Sequence, residues 1–183
     1  MSKQDERFTA LSRVLHWLMA AMILIMLFVG VGMVSSTTER YRYLVALHRP
    51  LGILILILAV VRLTNRLLNA PPPLPASLPK LQQIAATVSH IVLYALMFIM
   101  PLLGWAMLSA APYPIDLFGT LRLPAILSPD AALYAQLRAL HTDFALLFYA
   151  VILVHLGAAL LHAWIRRDGV FRSMAGGPRS PTP

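Results

Sequence analysis

The stretch ALHTDFALLFYAVILVHLGAALLHAWI, residues 139–165, sets His141, His155 and His162 into an almost wholly apolar run. A helix needs about 20 apolar residues to cross ~30 Å of hydrocarbon at ~1.5 Å per residue. The run is therefore expected to be a transmembrane span. Fourteen residues separate His141 from His155, a rise of ~21 Å and nearly four whole turns, which leaves the two imidazoles about 40° apart on one face. One helix thus presents an imidazole near each side of the bilayer.

Three further runs have the same character, at about 14–34, 44–61 and 84–108. The chain is 59% hydrophobic and 12% charged, where soluble domains carry roughly 25% charged residues. Its mean hydropathy of +0.74 points to lipid as the main solvent. The expected fold is all-α, an integral membrane four-helix bundle formed by a single domain over 1–175, with a disordered tail at 176–183. The first run is read as a retained span, because no small-residue cleavage site follows it. Pro71, Pro72, Pro73, Pro75 and Pro79 make 70–79 an extended connector. The connector at 109–138 is long enough to cap one face. Pro101 is expected to kink the third helix.

A formal charge of +8 could suggest nucleic acid, but the 15 Lys and Arg lie almost wholly outside or at the ends of the apolar runs, which leaves no polar surface for such a patch. Lys3, Arg7, Arg13, Arg62, Arg66, Lys80, Arg166, Arg167, Arg172 and Arg179 belong to one side. Arg40, Arg42, Arg49, Arg122 and Arg138 belong to the other. The positive-inside rule then puts both termini in the cytoplasm of a multi-pass protein of the bacterial inner membrane. Trp17 and Trp164 fall at the inner interface, and Tyr41, Tyr43, Tyr113 and Tyr134 at the outer one. The absence of cysteine excludes disulfides, thiolate chemistry, iron–sulfur clusters and covalent haem attachment.

All six histidines, His16, His48, His90, His141, His155 and His162, lie in or at the ends of the spans. Ionisable groups are costly in hydrocarbon and mark function there. His16, His90 and His155 fall at the inner level, and His48 and His141 at the outer. Facing imidazoles on separate helices, with an apolar slot between them, are what bis-histidine ligation of a haem iron requires. Spacing allows His16 to pair with His155 or with His90. Gly30, Gly32, Gly52, Gly104 and Gly157 could give a porphyrin room or serve ordinary close helix packing. Arg49 could meet a haem propionate or snorkel to the interface. His162 could contact a propionate, carry protons for a quinone, or be an interfacial residue.

Residues 12–20, SRVLHWLMA, resemble the opening helix of the bacterial cytochrome b561 family, as LHRPLG at 47–52 resembles the start of its second helix. RLTNR at 62–66 before the proline run, HIVLY at 90–94, Pro101 with Gly104, and RRDGV at 166–170 extend the resemblance over nearly the whole chain. It implies two non-covalent haems b, with His16 and His155 holding the inner iron and His48 and His141 the outer. His90 would then stand behind the ligands. It also implies an oxidoreductase that passes electrons from a small periplasmic donor, superoxide foremost, to membrane ubiquinone. In that reading Arg40, Arg42, Arg49 and Arg138 form a cationic outer mouth that attracts an anion. The chain's partners would be the lipid bilayer, a quinone and the small donor, with no obligate protein partner. Two alternatives remain at this point: a cytochrome subunit serving a separate dehydrogenase or hydrogenase, and a haem-free transporter with a histidine relay.

Overall fold

The computed structural model describes residues 7–37, 39–75, 77–117 and 121–176. Four of its helices are long and apolar enough to cross a membrane: α1 (Ala10–Val34), α2 (Glu39–Leu68), α3 (Lys80–Ala110) and α4 (Ala131–Leu160), the last continued by a π-helical turn, Leu161–Arg166. A short α5 (Val170–Ala175) follows. The fold is all-α apart from a two-stranded antiparallel hairpin, β1 (Ile115–Leu117) and β2 (Leu121–Leu123). The tail from 177 onward lies outside the described residues.

The helices outrun the apolar stretches that reveal them, because polar residues extend a helix as well as apolar ones. At the start of α1, the Thr9 side chain accepts from the Ser12 amide at 3.2 Å. Asp130 caps α4 by accepting from the amides of Ala132 and Leu133 at 2.9 and 3.0 Å. The cap over one end is therefore shorter than 109–138, since α4 already begins at Ala131. Pro50 and Pro101 lie inside α2 and α3. Each removes one backbone donor, which helices tolerate where neighbours or local adjustments satisfy the freed carbonyl.

The packing is unequal. Close approach joins α1 to α2, α3 to α4 and, less extensively, α2 to α3. By contrast α4 meets α1 and α2 at isolated points at most. The buried core, Met19, Ile55, Ala59, Leu96, Met97 and Phe148, draws on all four helices. Phe148 is seven residues from both His141 and His155, so the apolar core lies midway between the two histidine levels.

The hairpin closes the end where α1 and α3 finish, called here the hairpin end. Trp105 Nε1 donates to the Pro124 carbonyl at 2.9 Å, and the Ile126 amide donates to Ser109 Oγ at 3.1 Å. Arg49 donates to the Pro114 carbonyl at 3.0 Å. At the opposite, terminal end, α5 folds back on α1: the Phe8 amide reaches the Ser173 carbonyl at 3.2 Å, and Trp17 Nε1 the Met174 carbonyl at 3.3 Å.

Candidate functional site

Two facing imidazole pairs span the gaps that helix packing leaves open. At the hairpin end His48 of α2 and His141 of α4 have ring centres 6.2 Å apart, at 67° between planes. At the terminal end His16 of α1 and His155 of α4 have centres 6.4 Å apart, at 75°. A metal–imidazole bond is about 2 Å long, so two imidazoles on opposite sides of one metal have ring centres roughly 6 Å apart. Both pairs match that span. Among the described residues no three His, Asp or Glu side chains converge as a site for a bare metal ion. Facing pairs across a slot suit an iron whose other ligands come from a flat macrocycle.

The surroundings of the two pairs differ. At the hairpin end His48 Nδ1, His141 Nδ1 and Arg49 Nε are buried without a hydrogen-bond partner. Buried polar atoms are nearly always paired, so three orphans in one place mark a ligand-binding locus. Gly104 sets the backbone of α3 against this pair: a Cβ there would lie 3.5 Å from His141 Cε1. The other glycines divide. Gly32 admits Leu44, whose Cδ1 would come to 3.0 Å of an added Cβ, and so serves α1–α2 packing. A Cβ at Gly52 would lie 3.9 Å from Met26 Cε, an ordinary contact. Nothing lies within 4 Å of a Cβ at Gly30 or Gly157.

At the terminal end protein groups fill the hydrogen bonds. Arg62 lies 3.0 Å from His16 Nδ1 through one terminal nitrogen, and its Nε donates to the Tyr94 hydroxyl at 3.1 Å. The guanidiniums of Arg62 and Arg66 stand 5.8 and 5.7 Å from the centre of the Tyr94 ring, within cation–π range. Asn65, buried between the helices, donates to Ser12 at 2.7 Å and fixes the register of α1 on α2. His90 adds a third imidazole, its centre 5.6 Å from that of His155.

His162 stands apart from both pairs, on the π-helical turn. Its Nδ1 is 2.6 Å from Asp168 Oδ2, while Asp168 Oδ1 accepts from the Val170 amide at 3.2 Å. Arg167 and Gly169 adopt left-handed conformations around that carboxylate, with φ of 52° and 85°; Gly169 does so without steric cost. His162, Trp164 and Phe171 line a recess of ≈ 270 Å³. The turn itself had no sequence signal, and π-turns often accompany functional sites.

The cationic mouth is partly neutralised. Arg42 pairs with Glu39 at 3.1 Å, and Arg122 with Asp116 at 2.7 Å. The hydrogen bond from Arg122 holds the Asp116 carboxyl below its usual range. Arg49, by contrast, lies beside the histidine pair and has no carboxylate partner among the described residues.

The family model for prokaryotic cytochrome b561 matches residues 7–177. The chain belongs to that family. It is similar to cytochrome b561 homolog 2 of Escherichia coli K12, 32% identical over 93% of this chain and 92% of the relative. Cytochrome b561 homolog 1 of the same strain is 26% identical over 92% and 96%. A protein of Yersinia pestis named probable superoxide oxidase CybB is 28% identical, also over 92% and 96%. Membership makes this cytochrome b561 a multi-pass membrane electron-transfer protein that binds haem b, which sets the haem-free transporter aside.

Proposed function

We propose that this cytochrome b561 holds two haems b and carries electrons through the bilayer from superoxide on the periplasmic side to ubiquinone. The observation that carries the reading is the pair of matched imidazole spans, 6.2 and 6.4 Å, at opposite ends of the bundle. His48 and His141 hold the outer iron, and His16 and His155 the inner. His155 is favoured over His90 as the partner of His16 because its ring centre lies 6.4 Å from that of His16, the span of an opposed pair.

Haem iron supplies reversible one-electron chemistry at each level. The protein supplies access and polarity. Arg49 and its neighbouring cations draw an anionic donor to the hairpin end, with Arg49 also available to a propionate, and salt screens that attraction. His162, which Asp168 holds beside the recess, delivers protons to the quinone in this reading. Two superoxide ions give up one electron each and leave as dioxygen; one ubiquinone gains both electrons and two protons. The resemblance to the Yersinia protein supports superoxide as the donor.

The test gives the oxidised protein a pulse of superoxide with ubiquinone present, at low and high ionic strength. Rapid haem reduction followed by quinol, slower at high salt, is the expected result. Haems that stay oxidised would remove superoxide; reduced haems without quinol would remove ubiquinone.

A further inference from the structure

Arg62 sits where three helices meet: its own α2, α1 through His16, and α3 through Tyr94. It has five N–H donors and no acceptor. Two of them face protein acceptors, on His16 and Tyr94. Neither Arg62 nor Arg66 has a carboxylate partner among the described residues. Two cations share one tyrosine ring in a partly buried place, and this arrangement calls for an anion.

The hydrogen bond to His16 sharpens the point. Arginine can only donate, so His16 Nδ1 must accept, and in a neutral imidazole the proton then sits on Nε2. A ring nitrogen that carries a proton cannot bind a metal, and a ligating imidazole normally donates from its other nitrogen. The Arg62 bond and ligation of His16 through Nε2 therefore exclude one another. Ligation of His16 requires the guanidinium to find a different acceptor.

We propose that Arg62 is a clamp for the inner haem: when His16 ligates through Nε2, the guanidinium donates to a carboxylate of that haem, with Arg66 and Tyr94 completing the anion site. The inference rests on His16 being an inner ligand. A carboxylate of the haem is the fitting anion because the guanidinium touches the imidazole that would hold the iron. A lipid phosphate would instead sit at the headgroup level.

The test uses full-length apoprotein reconstituted with haem b or with its dimethyl ester, in which both carboxylates are masked. Binding is followed separately at the two levels by their spectra. A charge-assisted hydrogen bond is worth enough for about a tenfold difference in affinity. Wild type is expected to prefer haem over the diester about tenfold at the inner level, and Arg62→Gln to lose that preference there. Retention of the outer haem by Arg62→Gln serves as the folding control. Should the glutamine variant fail to assemble, Arg62→Lys, which keeps the charge but not the fork, is expected to show a reduced preference. An undiminished preference in the assembled variant would overturn the clamp. So would equal affinities in wild type, which would leave a lipid phosphate as the anion. A wild-type chain that saturates at one haem would overturn the two-haem reading itself.

Discussion

The two histidine pairs share a ring-to-ring span and differ in what surrounds it. At the hairpin end His48 Nδ1, His141 Nδ1 and Arg49 Nε are buried without partners. At the terminal end His16 is engaged by Arg62, Arg62 by Tyr94, and a third imidazole, His90, stands beside His155. The first pair has buried polar atoms without protein partners; at the second, protein groups fill such bonds. Under the proposed two-haem reading, the two levels present unequal barriers to the same prosthetic group.

The largest expected effect separates the levels completely. His48→Ala or His141→Ala should abolish the outer haem and leave the inner one, and His16→Ala or His155→Ala the reverse, read by haem-to-protein ratio and spectrum. His90→Ala should keep both. Loss of the inner haem in His90→Ala, with retention in His16→Ala, would move the inner ligand to α3.

The quinone side comes next. His162→Ala and Asp168→Asn should retain both haems while quinol formation falls about a hundredfold, the usual scale for removing a positioned proton donor. Unchanged quinol formation would remove this pair from the acceptor site.

Loading kinetics probe the contrast itself. Limiting haem added to apoprotein should enter the hairpin-end level about tenfold faster, because the terminal end must first break a charge-assisted bond worth roughly 1.5 kcal/mol or more. Simultaneous filling would mean that the Arg62–His16 contact presents no barrier.

How much of this was legible in the sequence varies from residue to residue. The four apolar runs and the fourteen-residue interval from His141 to His155 are periodic features, and periodicity is local. They led to the bundle and to the two facing pairs found in the structure. Arg62 looked like one more inward-facing cation, because its contact with His16 depends on the register of α2 against α1, which the Asn65–Ser12 bond sets. The π-helical turn at Leu161–Arg166 and the strand pair of Ile115–Leu117 with Leu121–Leu123 were also invisible. One adds a single residue to a helical turn, and the other is two three-residue strands, IDL and LRL, whose apolar–polar alternation is too short to stand out among prolines. Spacing permits either His155 or His90 beside His16, and the 6.4 Å span from His16 to His155 emerges only once the helices are packed.

The smallest expected effect lies on the hairpin cap. The Asp116 carboxyl is held below its ordinary value of 3.8 by Arg122, so the pair contributes stability above the usual carboxylate range. That contribution is lost as pH falls through the lowered folded-state value. Asp116→Asn should lower thermal stability slightly at neutral pH and make no difference once the acid is protonated. An equal effect at both pH values would assign the change to something other than the ion pair.

The most direct test of the two-level reading is the haem content of the purified wild-type chain, measured as pyridine haemochrome per protein together with the spin state of the oxidised iron. Two low-spin haems b per chain, all extractable with acidified acetone, are expected from four ligating imidazoles and no cysteine. One haem per chain, or a five-coordinate high-spin spectrum at either level, would contradict it.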